Sequence, residues 1–315
     1  MLKASCAGRV NSSVRSLLNL GIKEMFVRVI PANDVADLFN LKQSLGKSKR
    51  YCFRGHSDAS WDLIPTMFRQ LIGKDFSGIT LDLIGRYERD MYRKYERHAH
   101  SLINARDKWE SLCIAQHYGA PTRLLDWTRN LFVATYFALI ADSSDPDKAA
   151  VWGLNLTDYP FPDSLGRQVN DGAYRLDNIR NYCGEKPASF SQAVSESTKP
   201  WRRRNPKPEG TFVVFESPSV VPRIENQEGL FSVYLSFNDY DFVWNYSDYI
   251  AQVEQTLGVD LLVKIEILKT DANKIRMQIE ETGINPYRLF PDLVGLGMML
   301  KAQHEHKFLS EVGII

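Results

Sequence analysis

HYGAPTRLLDWTRNLFVATYFA, residues 117–138, changes texture in its middle. A turn-forming polar part (Gly119, Pro121, Thr122, Arg123) passes through Asp126-Trp127-Thr128 into a small-and-aromatic run from Leu131 to Ile140. A chain written this way delivers hydroxyls, a carboxylate and an indole at a loop, then anchors that loop on a buried helix. Upstream, Tyr51 to Gly55 is short and β-prone, and Gly55 ends it. Between the two segments the spacing of Ile84, Tyr87, Met91, Tyr95 and Leu102 predicts one helix over 81–116, stopped by Gly119-Ala120-Pro121. Trp61 to Phe68 reads as a short extended piece broken by Pro65.

Outward from this centre the strand signals dominate. Phe26 to Ile30 alternates, with a helix following a cap at Asn33 or Asp34. Ala149 to Leu156, Thr211 to Phe215 and Leu261 to Ile267 also read as strands, the last with Lys264 and Glu266 set between apolar neighbours. Asp271 is expected to cap a helix through Ile275 and Ile279 that ends at Gly283, and Phe290-Pro291-Asp292-Leu293 opens a last helix. The stretch 157–209 is irregular and holds a basic cluster, Trp201 to Arg204. No internal repeat occurs. The pattern predicts an α+β fold: a single composite domain over 25–315, a central mixed or antiparallel sheet flanked by helices, and an N-terminal extension over 1–24. Met25 is an alternative start to Met1.

Thirty-nine Lys plus Arg stand against 38 Asp plus Glu, so no global field recruits nucleic acid or an anionic membrane. No run reaches the roughly 18 to 20 apolar residues of a membrane span, and no membrane partner is expected. Cys6, Cys52, Cys113 and Cys183 are widely separated without a Cys-x-x-Cys spacing. That reads as reduced thiols of a cytoplasmic protein, with neither a disulfide framework nor a zinc site.

Each candidate site residue has a functional and a structural reading. Arg54 can aim a planar fork at a phosphate or carboxylate, and Gly55 lets backbone or ligand approach closely. Alternatively Arg54 pairs with a core carboxylate such as Asp126. Thr122, Asp126 and Thr128 can orient a sugar; Trp127 can stack on a planar ring or fill the core. Asp126, flanked by Leu124, Leu125 and Trp127, is expected to be semi-buried and therefore paired, catalytic or both. His117 is a general base, a nucleotide donor or a helix-end hydrogen-bonder. The pairs His98/His100 and His304/His306 lack a third ligand nearby in sequence and read as exposed histidines, so no metal site is expected. Walker, dinucleotide-binding and nucleophile-elbow motifs are absent.

The triplet Phe53-Arg54-Gly55, the block His117 to Thr128, Ala134 to Phe137, Gln227 to Phe231 and Phe290 to Gly295 together resemble the FRG domain family, over about 26–305. One departure is that an extra residue separates Gln227 from Gly229, or that the Gln227-Glu228 pair replaces another polar pair. The order of landmarks is also similar to the Arg–Ser–Glu branch of the ADP-ribosyltransferase superfamily. That resemblance implies Arg54 holding the NAD phosphates, Thr122 and Thr128 lining the nicotinamide pocket, and Gln227 with Glu228 engaging ribose and acceptor. Thr-Arg-Leu-Leu-Asp-Trp-Thr departs from that branch's Ser-Thr-Ser, and Asp126 has no counterpart there.

The function this implies is an NAD-dependent ADP-ribosyltransferase-like enzyme, a toxin or anti-phage effector. NAD would be its substrate, with a protein or nucleic acid as acceptor. Glu228, Asp126, His117 and Gln227 would be catalytic; Arg54, Gly55, Thr122, Trp127 and Thr128 would bind the cofactor. Two alternatives are a non-catalytic nucleotide- or phosphate-binding sensor and a nuclease using His117, His56 and Asp126. Arg54, His117, Thr122, Asp126, Thr128 and Gln227 or Glu228 are expected to converge on one cleft.

Overall fold

The computed structural model describes residues 27–46, 49–73, 81–103, 105, 107–140, 147–161, 173–177, 211–216, 222–235 and 243–311. The N-terminal extension, the Trp201–Arg204 cluster and most of 157–209 lie outside them.

Eight strands among these residues form one sheet: β1 (Arg28–Ala32), β2 (Tyr51–His56), β3 (Leu125–Thr128), β4 (Lys148–Asn155), β5 (Tyr174–Arg175), β6 (Thr211–Glu216), β7 (Gly229–Leu235) and β8 (Leu262–Leu268). Their order is β1-β8-β4-β2-β3-β7-β6-β5. The pairs β1/β8 and β5/β6 are parallel, the others antiparallel. The fold is thus α+β on a mixed, mostly antiparallel sheet, as the alternating runs predict. At the middle of the sheet the β2/β3 ladder consists of the single pair Phe53↔Thr128, whereas β2 runs six residues in register with β4, from Tyr51↔Asn155 to His56↔Ala150.

Alternation along the strands sends successive side chains to opposite faces. One face packs Cys52, Leu125, Trp127, Trp152 and Leu230 against Tyr246, Tyr249, Ile250 and Val253 of helix α6 (Tyr246–Leu257). Asn245 caps that helix and left-handed Gly258 ends it. The other face carries two clusters. Phe53, Val151, Val263, Ile265 and Ile267 meet α1 (Val35–Ser44), α4 (Leu131–Ile140) and α7 (Lys269–Glu281). Val213, Phe215, Phe231 and Val233 meet α2 (Leu81–Ala99), α3 (Lys108–His117) and α5 (Pro222–Asn226). Two C-terminal helices follow, the short α8 (Pro286–Leu289) and the long α9 (Leu293–Glu311).

Gly55 shows why the Phe-Arg-Gly triplet ends in glycine. A Cβ there would lie 2.0 Å from the Ala134 carbonyl oxygen and 2.6 Å from the Ala138 nitrogen. The backbone of α4 rests directly on β2, and the small residues Ala134 and Ala138 permit the approach from the helix side. The close approach predicted for Gly55 is made by the protein's own helix.

Three sequence expectations need correction. The predicted helix over 81–116 is two helices, because Asp107 accepts hydrogen bonds from the Trp109 and Glu110 N–H groups and starts a new helix at Lys108. The extended piece over 61–68 closes into a 3-10 turn at Thr66–Leu71 behind Pro65. Helix α7 begins at Lys269 without a side-chain cap, so Asp271 sits in its first turn instead of capping it. Asp34, in contrast, caps α1 by accepting from the Asp37 N–H at 2.9 Å. His98, His100 and His304 are exposed. No described helix is long and apolar enough to cross a membrane.

Candidate functional site

Arg54 leaves β2 at the point where β2 and β3 part. Cys52 belongs to the α6 face, so alternation starts Arg54 on that side. Its guanidinium crosses to β3, where Nη1 donates to the Asp126 carbonyl at 2.8 Å and lies 3.5 Å from the Asp126 carboxylate. Nε donates to His56 Nε2 at 3.0 Å. His56 Nδ1 is 3.3 Å from the Trp61 carbonyl, so the imidazole is the neutral tautomer that donates there and accepts from Arg54. Burial, reinforced by the Arg54 charge, holds the His56 pKa well below the usual histidine value. Both ring nitrogens are therefore occupied by partners within the protein. Burial also lowers the Arg54 pKa, with Asp126 opposing the shift.

The Arg54 side chain is 13% exposed, but that of Asp126 is 46% exposed. The carboxylate thus presents an open edge to solvent while Arg54 and Gln116 fix its orientation. Gln116 Nε2 donates to Asp126 Oδ2 at 2.8 Å, and Gln116 Oε1 accepts from the Thr122 hydroxyl. Thr122 in turn accepts from the Leu124 N–H at 3.0 Å. It is fully buried and holds the turn that delivers β3. Asp126 also acts on the guanidinium of Arg69, whose pKa falls with burial and is raised by that carboxylate. The charge of one half-exposed carboxylate therefore acts on two arginines.

Trp127 is 3% exposed and donates its indole N–H to Ser232 Oγ at 2.8 Å, a core position. Thr128, 4% exposed, accepts from the Asn130 N–H at 3.0 Å. Asn130 then donates through Nδ2 to Glu228 Oε1 at 3.0 Å. Glu228 is exposed and has φ +50, the one left-handed non-glycine among the described residues. Such a backbone costs on the order of 1 kcal/mol, and outliers of this kind cluster at working sites. Gln227 serves the fold: its Nε2 donates to the Leu289 carbonyl at 3.0 Å and ties α5 to α8.

His117 ends α3 beside Gln116. Its Nε2 is buried without a hydrogen-bond partner. Burial lowers its pKa; Arg223 lowers it further, and Asp126 and Asp292 oppose. Arg54, Asp126, Thr122, His117, Thr128 and Glu228 thus fall into two groups, whereas Trp127 and Gln227 serve the fold. Arg54, Asp126 and Thr122 form one bonded chain with His117 at its edge, and Thr128 meets Glu228 through Asn130. Gln116, His56, Arg69 and Asn130 complete these groups. His56 follows the Phe-Arg-Gly triplet directly; the other three are ordinary polar residues that no motif marks.

Because Arg54 is buried and its partners lie inside the sheet, Arg54→Ala should lower unfolding stability by about 3 kcal/mol. Asp126→Ala, at a half-exposed position, should cost about 1 kcal/mol. Urea melts of the two variants measure this asymmetry; equal losses would mean that Asp126 is as much a structural anchor as Arg54.

No curated protein and no solved structure matches this chain. The family comparison does find a match: residues 49–147, which hold the strand of Arg54, the helix of Gln116 and His117, the strand of Asp126 and the α4 helix packed on Gly55, match the model of the FRG domain family.

Proposed function

We propose that this protein is an NAD-dependent ADP-ribosyltransferase-like enzyme. One observation carries the reading. Arg54 and Thr128 lie on the neighbouring strands β2 and β3, Glu228 is the turn residue immediately before the next strand, β7, and the pairs Phe53↔Thr128 and Thr128↔Gly229 put these positions at one level of the sheet. An arginine and a hydroxyl residue on adjacent strands, with a late glutamate at the start of the next, are the groups that such chemistry uses.

Arg54, with Arg69 nearby, supplies positive charge for the pyrophosphate. The N-glycosidic bond to nicotinamide breaks with its electron pair leaving on nicotinamide. The ribose C1′ becomes cationic, and an acceptor nucleophile bonds to it while losing a proton. The exposed carboxylate of Glu228, oriented by Asn130, stabilises that cation. Asp126 is the second carboxylate placed to do so. Positioning and charge suffice for this step, without a covalent nucleophile. Such a protein would act in the cytoplasm as a toxin or anti-phage effector on a protein or nucleic-acid acceptor.

Incubating the pure protein with NAD and cell-lysate, protein or nucleic-acid acceptors should release nicotinamide and transfer label. Glu228→Gln should reduce the rate about 100-fold, the typical effect of removing one charge-stabilising group. Absence of release with every acceptor overturns the reading. A second reading has its own support: Arg54 already spends Nε on His56 and Nη1 on Asp126. A nucleotide-binding sensor with that arrangement would show NAD-dependent thermal stabilisation without nicotinamide release.

A further inference from the structure

Beside the Arg54 centre lies a second group of side chains that the proposed reaction leaves unused. Arg223, from α5, stacks its guanidinium 4.4 Å from the ring centroid of Phe290 and 6.0 Å from that of Tyr118. Tyr118 in turn stands edge-on to His117, with ring centroids 5.8 Å apart. Arg223 Nε and His117 Nε2 are both buried, and neither has a hydrogen-bond partner. Buried polar atoms are nearly always satisfied, so two orphans around one tyrosine ask for a shared explanation.

The local charges narrow the chemistry. The Asp292 carboxylate reaches only 3.9 Å from Arg223 Nε. Its Oδ1 is committed to α9, accepting from the Val294 N–H at 2.9 Å and the Gly295 N–H at 3.0 Å. At His117 the Arg223 charge stands against Asp126 and Asp292, and burial lowers the imidazole pKa. An oxyanion with several acceptor oxygens answers both orphan nitrogens, whereas a cation or an apolar group answers neither.

We propose that His117 Nε2 and Arg223 Nε form a subsite for a phosphate group, roofed by Tyr118 and Phe290. The choice of phosphate rests on the nucleotide reading above. Its source is either the nucleotide itself or a second, phosphorylated molecule. Gln227 acts here as a positioning residue: by holding the Leu289 carbonyl it fixes the segment that carries Phe290 and Asp292.

The test follows the histidine ring signals of the labelled full chain, with His117 assigned from His117→Gln. Inorganic phosphate, titrated at constant ionic strength against chloride, should shift the His117 signal and raise its titration midpoint, because a nearby anion favours imidazolium. Arg223→Met should weaken the phosphate effect about ten-fold, the loss of one charge-assisted contact. Asp292→Asn retains the α9 cap and removes the competing charge, so phosphate should bind more tightly; this variant decides the matter if Arg223→Met does not fold. Repeating the titration with NAD present identifies the source: competition assigns the subsite to the nucleotide, additive shifts to a separate phosphate. A His117 signal indifferent to phosphate in the wild type, or unaltered phosphate affinity in both variants, overturns the proposal. Nicotinamide release is read separately, so failure of transfer and failure of this subsite are distinguishable.

Discussion

Arg123→Ala should lower the stability of the folded chain by about 3 to 5 kcal/mol, among the largest losses available to a single substitution here. Arg123 lies between α3 and β3, one residue beyond Thr122, and its side chain is 5% exposed. Its Nε donates to Glu88 Oε1 on α2 at 2.7 Å, and its Nη2 donates to Glu88 Oε2. Glu88 is itself 1% exposed. Alanine leaves that carboxylate buried without its bidentate partner. The Arg123 carbonyl also accepts from the Tyr246 hydroxyl at 2.8 Å, so the same residue joins α2 to α6 on the opposite face. Denaturant melts should show a similar loss for Glu88→Ala. The double replacement Arg123→Met with Glu88→Leu should lose less than either single variant, since it removes both charges together. A single variant within about 1 kcal/mol of wild type would mean that the pair does not anchor α2.

Gly55→Ala should be comparably damaging for a steric reason. The added methyl would meet the Ala134 carbonyl oxygen at 2.0 Å and the Ala138 nitrogen at 2.6 Å, both backbone atoms that cannot rotate away. Either α4 lifts from the sheet or β2 distorts beside Arg54. Overpacking a tight core costs roughly 1 to 3 kcal/mol even when side chains can adjust, and here they cannot, so about 3 kcal/mol or more is expected. Thermal melting measures the loss. Nucleotide-dependent stabilisation, measured in parallel, should fall as well, because the displaced strand carries Arg54. A fully stable Gly55→Ala protein would show that the helix backbone does not rest on this strand.

The fold was legible wherever the pattern was periodic. Alternation marks β1 and β8, a continuous apolar run marks β6, and the small-and-aromatic run marks α4, all within a residue or two of their observed ends. The breaks were harder. Asp107 divides the long helix, yet the apolar spacing on either side looks continuous across it. Helix α6 has a sound start signal in Asn245 and a stop at Gly258 that the sequence reading passed over. At the site, the motif-bearing residues Arg54, Asp126 and Glu228 could be named because their types carry charge at element ends. Their partners could not. Gln116 meets Asp126 only because α3 runs back over the end of β3, and Arg123 finds Glu88 across 35 positions of sequence. Burial separated roles that residue type cannot: Trp127 and Thr122 look like ligand contacts in the sequence and are core residues in the fold.

The strand order bears on what residues 49–147 represent. That segment contains β2 and β3, stops at the threshold of β4, and omits β7 and β8. In the complete sheet β3 is bonded to β7, and β4 to β8, both contributed by later sequence. Cut out alone, the segment would leave β3 without its outer neighbour and β2 with only the one-pair ladder to β3. Unpaired strand margins of this kind invite self-association. The matched segment is therefore a set of parts whose assembly is completed by the strands that follow it, β4, β7 and β8, and an expression boundary drawn at its limits would cut through the sheet.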